Sequence, residues 1–82
     1  MALQVQITTP EKLVFEKEAD YAEIPGKDGY MGILPGHAAL LSELGAGALS
    51  FTLDGKTGSF TVSGGYVEVR DDHVRVLADK AE

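Results

Sequence analysis

The sequence predicts an all-β fold, a small antiparallel β-sandwich or flattened barrel of about ten short strands. Three observations lead there: apolar and polar residues alternate with a period of two in several stretches, turn-forming residues recur roughly every 8 to 12 positions, and one pair of stretches fits a tight hairpin on both faces.

Leu3, Val5 and Ile7 share one face and Gln4, Gln6 and Thr8 the other, the pattern of a half-buried strand that Pro10 ends. Leu13 to Glu18 forms a second short run. In a third, Asp20, Ala22 and Ile24 alternate with Tyr21 and Glu23 and lead into the turn-rich Pro25-Gly26-Lys27-Asp28-Gly29. Near the end, Tyr66–Arg70 and His73–Leu77 flank Asp71-Asp72 as a two-residue hairpin loop. Residues facing each other across such a loop have numbers of constant sum, so Arg70 faces His73, Val69 faces Val74, Glu68 faces Arg75 and Val67 faces Val76. The valines fall on one face and an opposite-charge pair on the other, which cross-strand energetics favour. A second hairpin surrounds Asp54-Gly55-Lys56-Thr57. With Gly55-Lys56 as its loop, Phe51 faces Phe60 and Leu49 faces Val62; a longer loop pairs Leu53 with Phe60. One segment reads both ways. His37 to Leu44 has good helix formers with Leu40, Leu41 and Leu44 at helical spacing, but Gly36 and Gly45 bound it closely, and local propensity divides evenly between a two-turn helix and an irregular strand.

With 82 residues, the chain is expected to form one domain, 1–82, whose core is thin because a body this size buries only about 60 to 65% of its unfolded surface. Thirteen acidic against seven basic side chains leave a charge of −6, too few cations for tracking phosphates along a nucleic acid or for holding an anionic membrane. No apolar run reaches the length of a spanning helix, and the opening Met-Ala-Leu-Gln-Val-Gln lacks the charged and apolar regions of a signal peptide, so a soluble, uncleaved chain is expected. Zero cysteines exclude disulfides and thiolate chemistry and suit a reducing compartment.

The candidate chemistry is sparse. His73 beside a hairpin turn reads as a solvated strand residue. His37, leaving Leu34-Pro35-Gly36, has no Cys or His at ligand spacing, which excludes zinc. Asp71 and Asp72 are explained by the tolerance of acidic turn residues for positive φ and by local hydrogen bonding, without the loop a calcium site requires. Ser63-Gly64-Gly65 precedes a strand where a phosphate cradle needs a helix, so a bulge or close strand crossing is expected. Lys56 near a hairpin tip suggests the lysine of a lipoyl- or biotinyl-type carrier, although the residues that flank such a lysine are missing. Nothing assembles a nucleophile, a base and an orienting group, and the function indicated is binding.

Gly32-Ile-Leu-Pro-Gly-His-Ala-Ala-Leu-Leu41, Val62-Ser-Gly-Gly-Tyr-Val-Glu-Val69 and Val74-Arg-Val-Leu-Ala-Asp79 resemble the ε subunit family of bacterial F-type ATP synthase, called δ in mitochondria. Thr9-Pro-Glu and Val14-Phe15-Glu16 match as well, so the resemblance runs the length of the chain. It implies a β-sandwich at the foot of the central stalk that binds the γ subunit and the polar loops of the membrane c-ring, coupling the two for proton- or sodium-driven ATP synthesis. Such a subunit is non-catalytic, holds no cofactor or metal, and sits peripherally on the cytoplasmic face of the bacterial inner membrane as part of F1. Residue by residue, Gly32, Pro35, Gly36, His37 and Leu41 resemble the family's γ-side turn, and Lys27, Asp28, Gly29, Tyr30 and Met31 its ring-side loop. Tyr30 stands where an acidic residue is frequent. Family members usually continue into two helices that can inhibit ATP hydrolysis. The expectation here is the sandwich domain without them, either cut from a longer protein or naturally short.

Overall fold

The alternation read from the sequence becomes burial. In the computed structural model, which describes residues 2–82, Leu3, Val5 and Ile7 are at most 1% exposed, as are Ala22, Ile24, Ile33, Leu49, Val67, Val69, Val74 and Val76. Eight strands form among the described residues: β1 (Leu3–Thr8), β2 (Leu13–Ala19), β3 (Tyr21–Gly26), β4 (Gly29–Ile33), β5 (Leu40–Glu43), β6 (Gly47–Leu53), β7 (Lys56–Arg70) and β8 (His73–Ala81). There is no helix among them.

The strands are hydrogen-bonded in the order β2-β1-β8-β7-β6-β3-β4, with β5 also on β7. The 15-residue β7 explains how this becomes a sandwich. Its first half, Lys56 to Val62, pairs with β6, while Tyr66 to Val69 pairs with β5 and Val62 to Arg70 with β8. One layer is therefore β2-β1-β8-β7-β5 and the other β4-β3-β6-β7, and their inner faces meet in an aliphatic core. Gly64 and Gly65 stand where β7 passes between layers, with φ of 68° and 104°. A Cβ on Gly65 would overlap the Leu77 carbonyl oxygen, so the predicted close crossing is a contact between backbones. Eight strands stand where about ten were expected, partly because this one strand serves in both layers.

The sandwich is not wholly antiparallel. β1 runs parallel to β8, with Val5 opposite Val74 and Ile7 opposite Val76. Alternation in a sequence reports which side chains share a face and carries no information about the neighbour's direction, so this pairing was not legible.

The β7–β8 hairpin has the predicted register, from Arg70 opposite His73 to Val67 opposite Val76. The β6–β7 hairpin has neither of the registers considered. Its loop is Asp54-Gly55, with Leu53 opposite Lys56, Phe51 opposite Gly58 and Leu49 opposite Phe60. Asp54 and Gly55 take φ of 52° and 80°, the type I′ geometry that matches strand twist and that Asp-Gly favours. The shift is by two positions, so the inward faces are unchanged. It also sets Phe51 over Gly58, and Phe15 of β2 joins Phe51 and Phe60 at centroid distances of 4.5 and 5.2 Å, so β2 rests on the opposite layer through this aromatic cluster.

His37 to Leu44 resolves as extended chain. Leu40 to Glu43 pair with Val69 to Tyr66, and Leu44 bridges Gly26. Tertiary pairing overrides the helical propensity of a segment too short to be helical alone. Lys56 is the first ladder residue of β7, beside the loop and not at its apex, so the display a carrier lysine requires is missing.

Gly65→Ala is expected to cost at least about 3 kcal/mol, because the new methyl meets backbone that cannot yield. Gly55→Ala, with open space around it, should cost about 1 kcal/mol. Urea unfolding of both variants checks the ranking, and equal losses would contradict a backbone crossing at Gly65.

Candidate partner-binding site

The corner between β4 and β5 is a type II turn written in its sequence. Pro35 presets the first central position, Gly36 supplies φ of 88° at the second, and the His37 N–H donates to the Leu34 carbonyl at 3.1 Å. This turn carries the chain from one layer to the other. His37, half-buried, donates from Nδ1 to the Ala38 carbonyl at 2.7 Å, which fixes the ring and turns Nε2 away from the backbone. The Gly36 N–H donates to Asp72 Oδ1 at 2.7 Å.

The five residues expected on the γ side are not one flat patch. Pro35, Gly36 and His37 share the corner. Leu41 projects from the outer face of the β5 layer and is 71% exposed. Gly32 lies on the outer face of the other layer, between the inward-facing Met31 and Ile33. A Cβ there would come within 2.7 Å of the Tyr21 hydroxyl, so this glycine makes room for Tyr21. Tyr21 in turn donates its O–H to Glu23 Oε2 at 3.2 Å. Burial of the phenol, that hydrogen bond and the Glu23 charge together push the Tyr21 pKa above its ordinary value. The folded state thus binds this proton more tightly than the unfolded chain. The contribution is intact at neutral pH and is lost only as pH rises through the phenol's alkaline range.

The ring-side candidates lie at the tip of the β3–β4 hairpin, where Gly26 pairs with Gly29 and Lys27-Asp28 form the loop. Lys27 Nζ lies 3.0 Å from Glu43 Oε2, but both groups are exposed and the pair contributes well under about 1 kcal/mol. Firmer ties come from backbone: Lys27 N–H to the Glu43 carbonyl at 3.1 Å and Gly45 N–H to the Pro25 carbonyl at 2.7 Å. Tyr30 is exposed, and its hydroxyl accepts from the Ala48 N–H at 3.3 Å. Met31 packs against the core, which leaves Lys27, Asp28 and Tyr30 to present side chains outward.

Two exposed features escaped the sequence reading. Leu34, in the corner turn itself, is 59% exposed. On the outer face of the β5 layer, Leu13, Thr8, Leu77 and Tyr66 stand opposite one another in a row across β2, β1, β8 and β7. The hairpin sum already placed Tyr66 opposite Leu77 on the face of Glu68 and Arg75, so an apolar pair on a polar face was the available signal.

No buried polar or charged residue is found among the described residues, and no group of His, Asp and Glu there is arranged to hold a metal ion. The fold is a β-sandwich that displays a proline-glycine corner and a hairpin tip at its surface. The family profile for the ATP synthase delta/epsilon chain β-sandwich domain matches residues 2–82, and the chain belongs to that family. It is 48% identical over 79 residues to the ATP synthase epsilon chain of Koribacter versatilis, covering 96% of this chain and 56% of that one. The epsilon chain of Solibacter usitatus is 44% identical over 80 residues, with 98% and 60% covered. The chain thus spans less than two thirds of the length of these relatives. Among solved structures, a chain of the Euglena gracilis mitochondrial ATP synthase (OSCP/F1/c-ring) matches with a TM-score of 0.91 at 24% identity, over 99% of this chain and 52% of that one. A chain of the Tetrahymena thermophila central stalk/c-ring gives 0.80 at 19%, over 100% and 66%. At these identities the likeness is one of fold.

Gly32→Ala is expected to displace the Tyr21 ring and to cost about 1–2 kcal/mol, as overpacking does. Loss of the Glu23 contact should also bring the Tyr21 ionisation down toward its ordinary value in an alkaline absorbance titration. An unchanged titration would show that the ring has room to move aside.

Proposed function

We propose that this domain is the rotor-stalk sandwich of an F-type ATP synthase, a non-catalytic body that binds the γ subunit and the polar loops of the membrane c-ring so that ion-driven rotation of one carries the other. The observation that carries this reading is the placement of two displayed surfaces at opposite ends of β4. The Lys27-Asp28 tip precedes this five-residue strand and the Leu34–His37 corner follows it, a separation of about 17 Å along an extended chain. Two partners can therefore be met without competing for one patch. Family membership and the ATP synthase assemblies that contain like-folded chains support the same reading.

The size is consistent with this role. The domain exposes 4959 Å², and two contacts of about 800 Å² each would cover about a third of it. A turn stiffened by proline and by its own hydrogen bonds loses little freedom on binding, which favours affinity. No helix among the described residues is long and apolar enough to cross a membrane, and on this reading the domain works peripherally, at the cytoplasmic face of the bacterial inner membrane within F1.

Calorimetric titration into purified γ subunit is expected to give saturable binding. His37→Asp and Leu41→Asp should each weaken it by about tenfold or more, since a carboxylate buried unpaired in an interface costs several kcal/mol, while the far-UV spectrum stays that of the parent. Absence of binding between two folded partners would overturn the proposal.

A further inference from the structure

We infer that Asp72 is a positioning residue that holds the corner in its partner-ready shape. This inference rests on the γ-side reading of that corner. Residues 34 to 39 belong to no strand, and the corner's own bonds, His37 N–H to Leu34 and His37 Nδ1 to Ala38, stay within the segment. Among the described residues, the Gly36 N–H to Asp72 Oδ1 bond is the hydrogen bond that ties the corner to a distant element. Its N–H is the one at the second central position of the turn, which the turn's own hydrogen bond leaves free. A carboxylate acceptor makes the bond charge-assisted, consistent with its length of 2.7 Å.

Asp72 is well placed for the task. It lies in the two-residue loop of the β7–β8 hairpin, whose ladder runs without a break in register from Val62–Ala81 to Arg70–His73, so its backbone is anchored. Its carbonyl accepts the Gln4 N–H at 2.8 Å, fixing the start of β1 as well. Arg70 leans toward Asp71, 3.7 Å away, and not toward Asp72, which leaves the Asp72 carboxylate to Gly36. Asp72 takes φ of 63°, a conformation that aspartate, asparagine and glycine tolerate.

Those tolerances define the variants. Asp72→Gly keeps the turn and removes the acceptor; Asp72→Asn keeps an acceptor oxygen on the same backbone. In the folded domain, Asp72→Gly is expected to speed Gly36 amide exchange about fivefold, the equivalent of losing roughly 1 kcal/mol of hydrogen bond. It should weaken γ binding by a similar factor, about fivefold, because the freed corner must be ordered on binding. Asp72→Asn should restore most of both. Unchanged Gly36 exchange in Asp72→Gly overturns the inference at its root. Faster exchange with unchanged γ affinity, while His37→Asp still weakens binding, overturns the positioning role and leaves the γ-side reading standing. Loss of the His37→Asp effect removes that reading and the inference together, even though the exchange result would still record the Asp72–Gly36 bond.

Discussion

The passage of one strand through both layers is the constraint on which the rest depends. β7 can serve β6 on one side of the core and β5 and β8 on the other only if its backbone approaches β8 closely at Gly65. A side chain there would meet the Leu77 carbonyl. The Ser63-Gly64-Gly65 stretch therefore fixes which inner faces oppose each other. The core it closes is entirely apolar, with Leu3, Ile7, Ile24, Ile33 and Leu49 sealed from solvent. Among the described residues no buried polar network specifies the arrangement, so register and turn chemistry carry the specificity.

The displayed surfaces follow from the same economy. What is distinctive is how the connections are held. The β3–β4 tip is tied by backbone bonds to the end of β5, and the β4–β5 corner is a proline-glycine turn with a carboxylate at its back. Both are loops tied by hydrogen bonds to elements distant in sequence and covered by little else, a combination that, on the function proposed above, suits a contact that loses little freedom on binding.

Much of this was legible. The inward residues of β1, β3 and β8 follow from alternation, and the β7–β8 register follows from addition across Asp71-Asp72, because one face there is valine and the other charged. The β6–β7 register was less so: Phe51, Phe60, Leu49 and Val62 lie on the same face in every odd-sum pairing, and only the left-handed demand of Asp54-Gly55 distinguishes them. The fate of His37 to Leu44 lay outside its own residues, in the open edge of β7. The corner turn was legible from Pro35-Gly36, but Asp72 as its partner was not, since nothing in the sequence brings a turn between layers and a hairpin loop together. The scatter of Gly32 and Leu41 onto opposite faces likewise depends on how the layers stack.

The parallel contact between β1 and β8 has a consequence for how the protein is made. β1 is made before β8, so its second edge stays uncovered until β8 has been made, and this part of the sandwich closes only then. Such long-range closure is slow, and until it happens the valine and isoleucine face of β1 is open to any extended chain nearby. The nascent polypeptide is thus most vulnerable to aberrant pairing until β8 has joined β1.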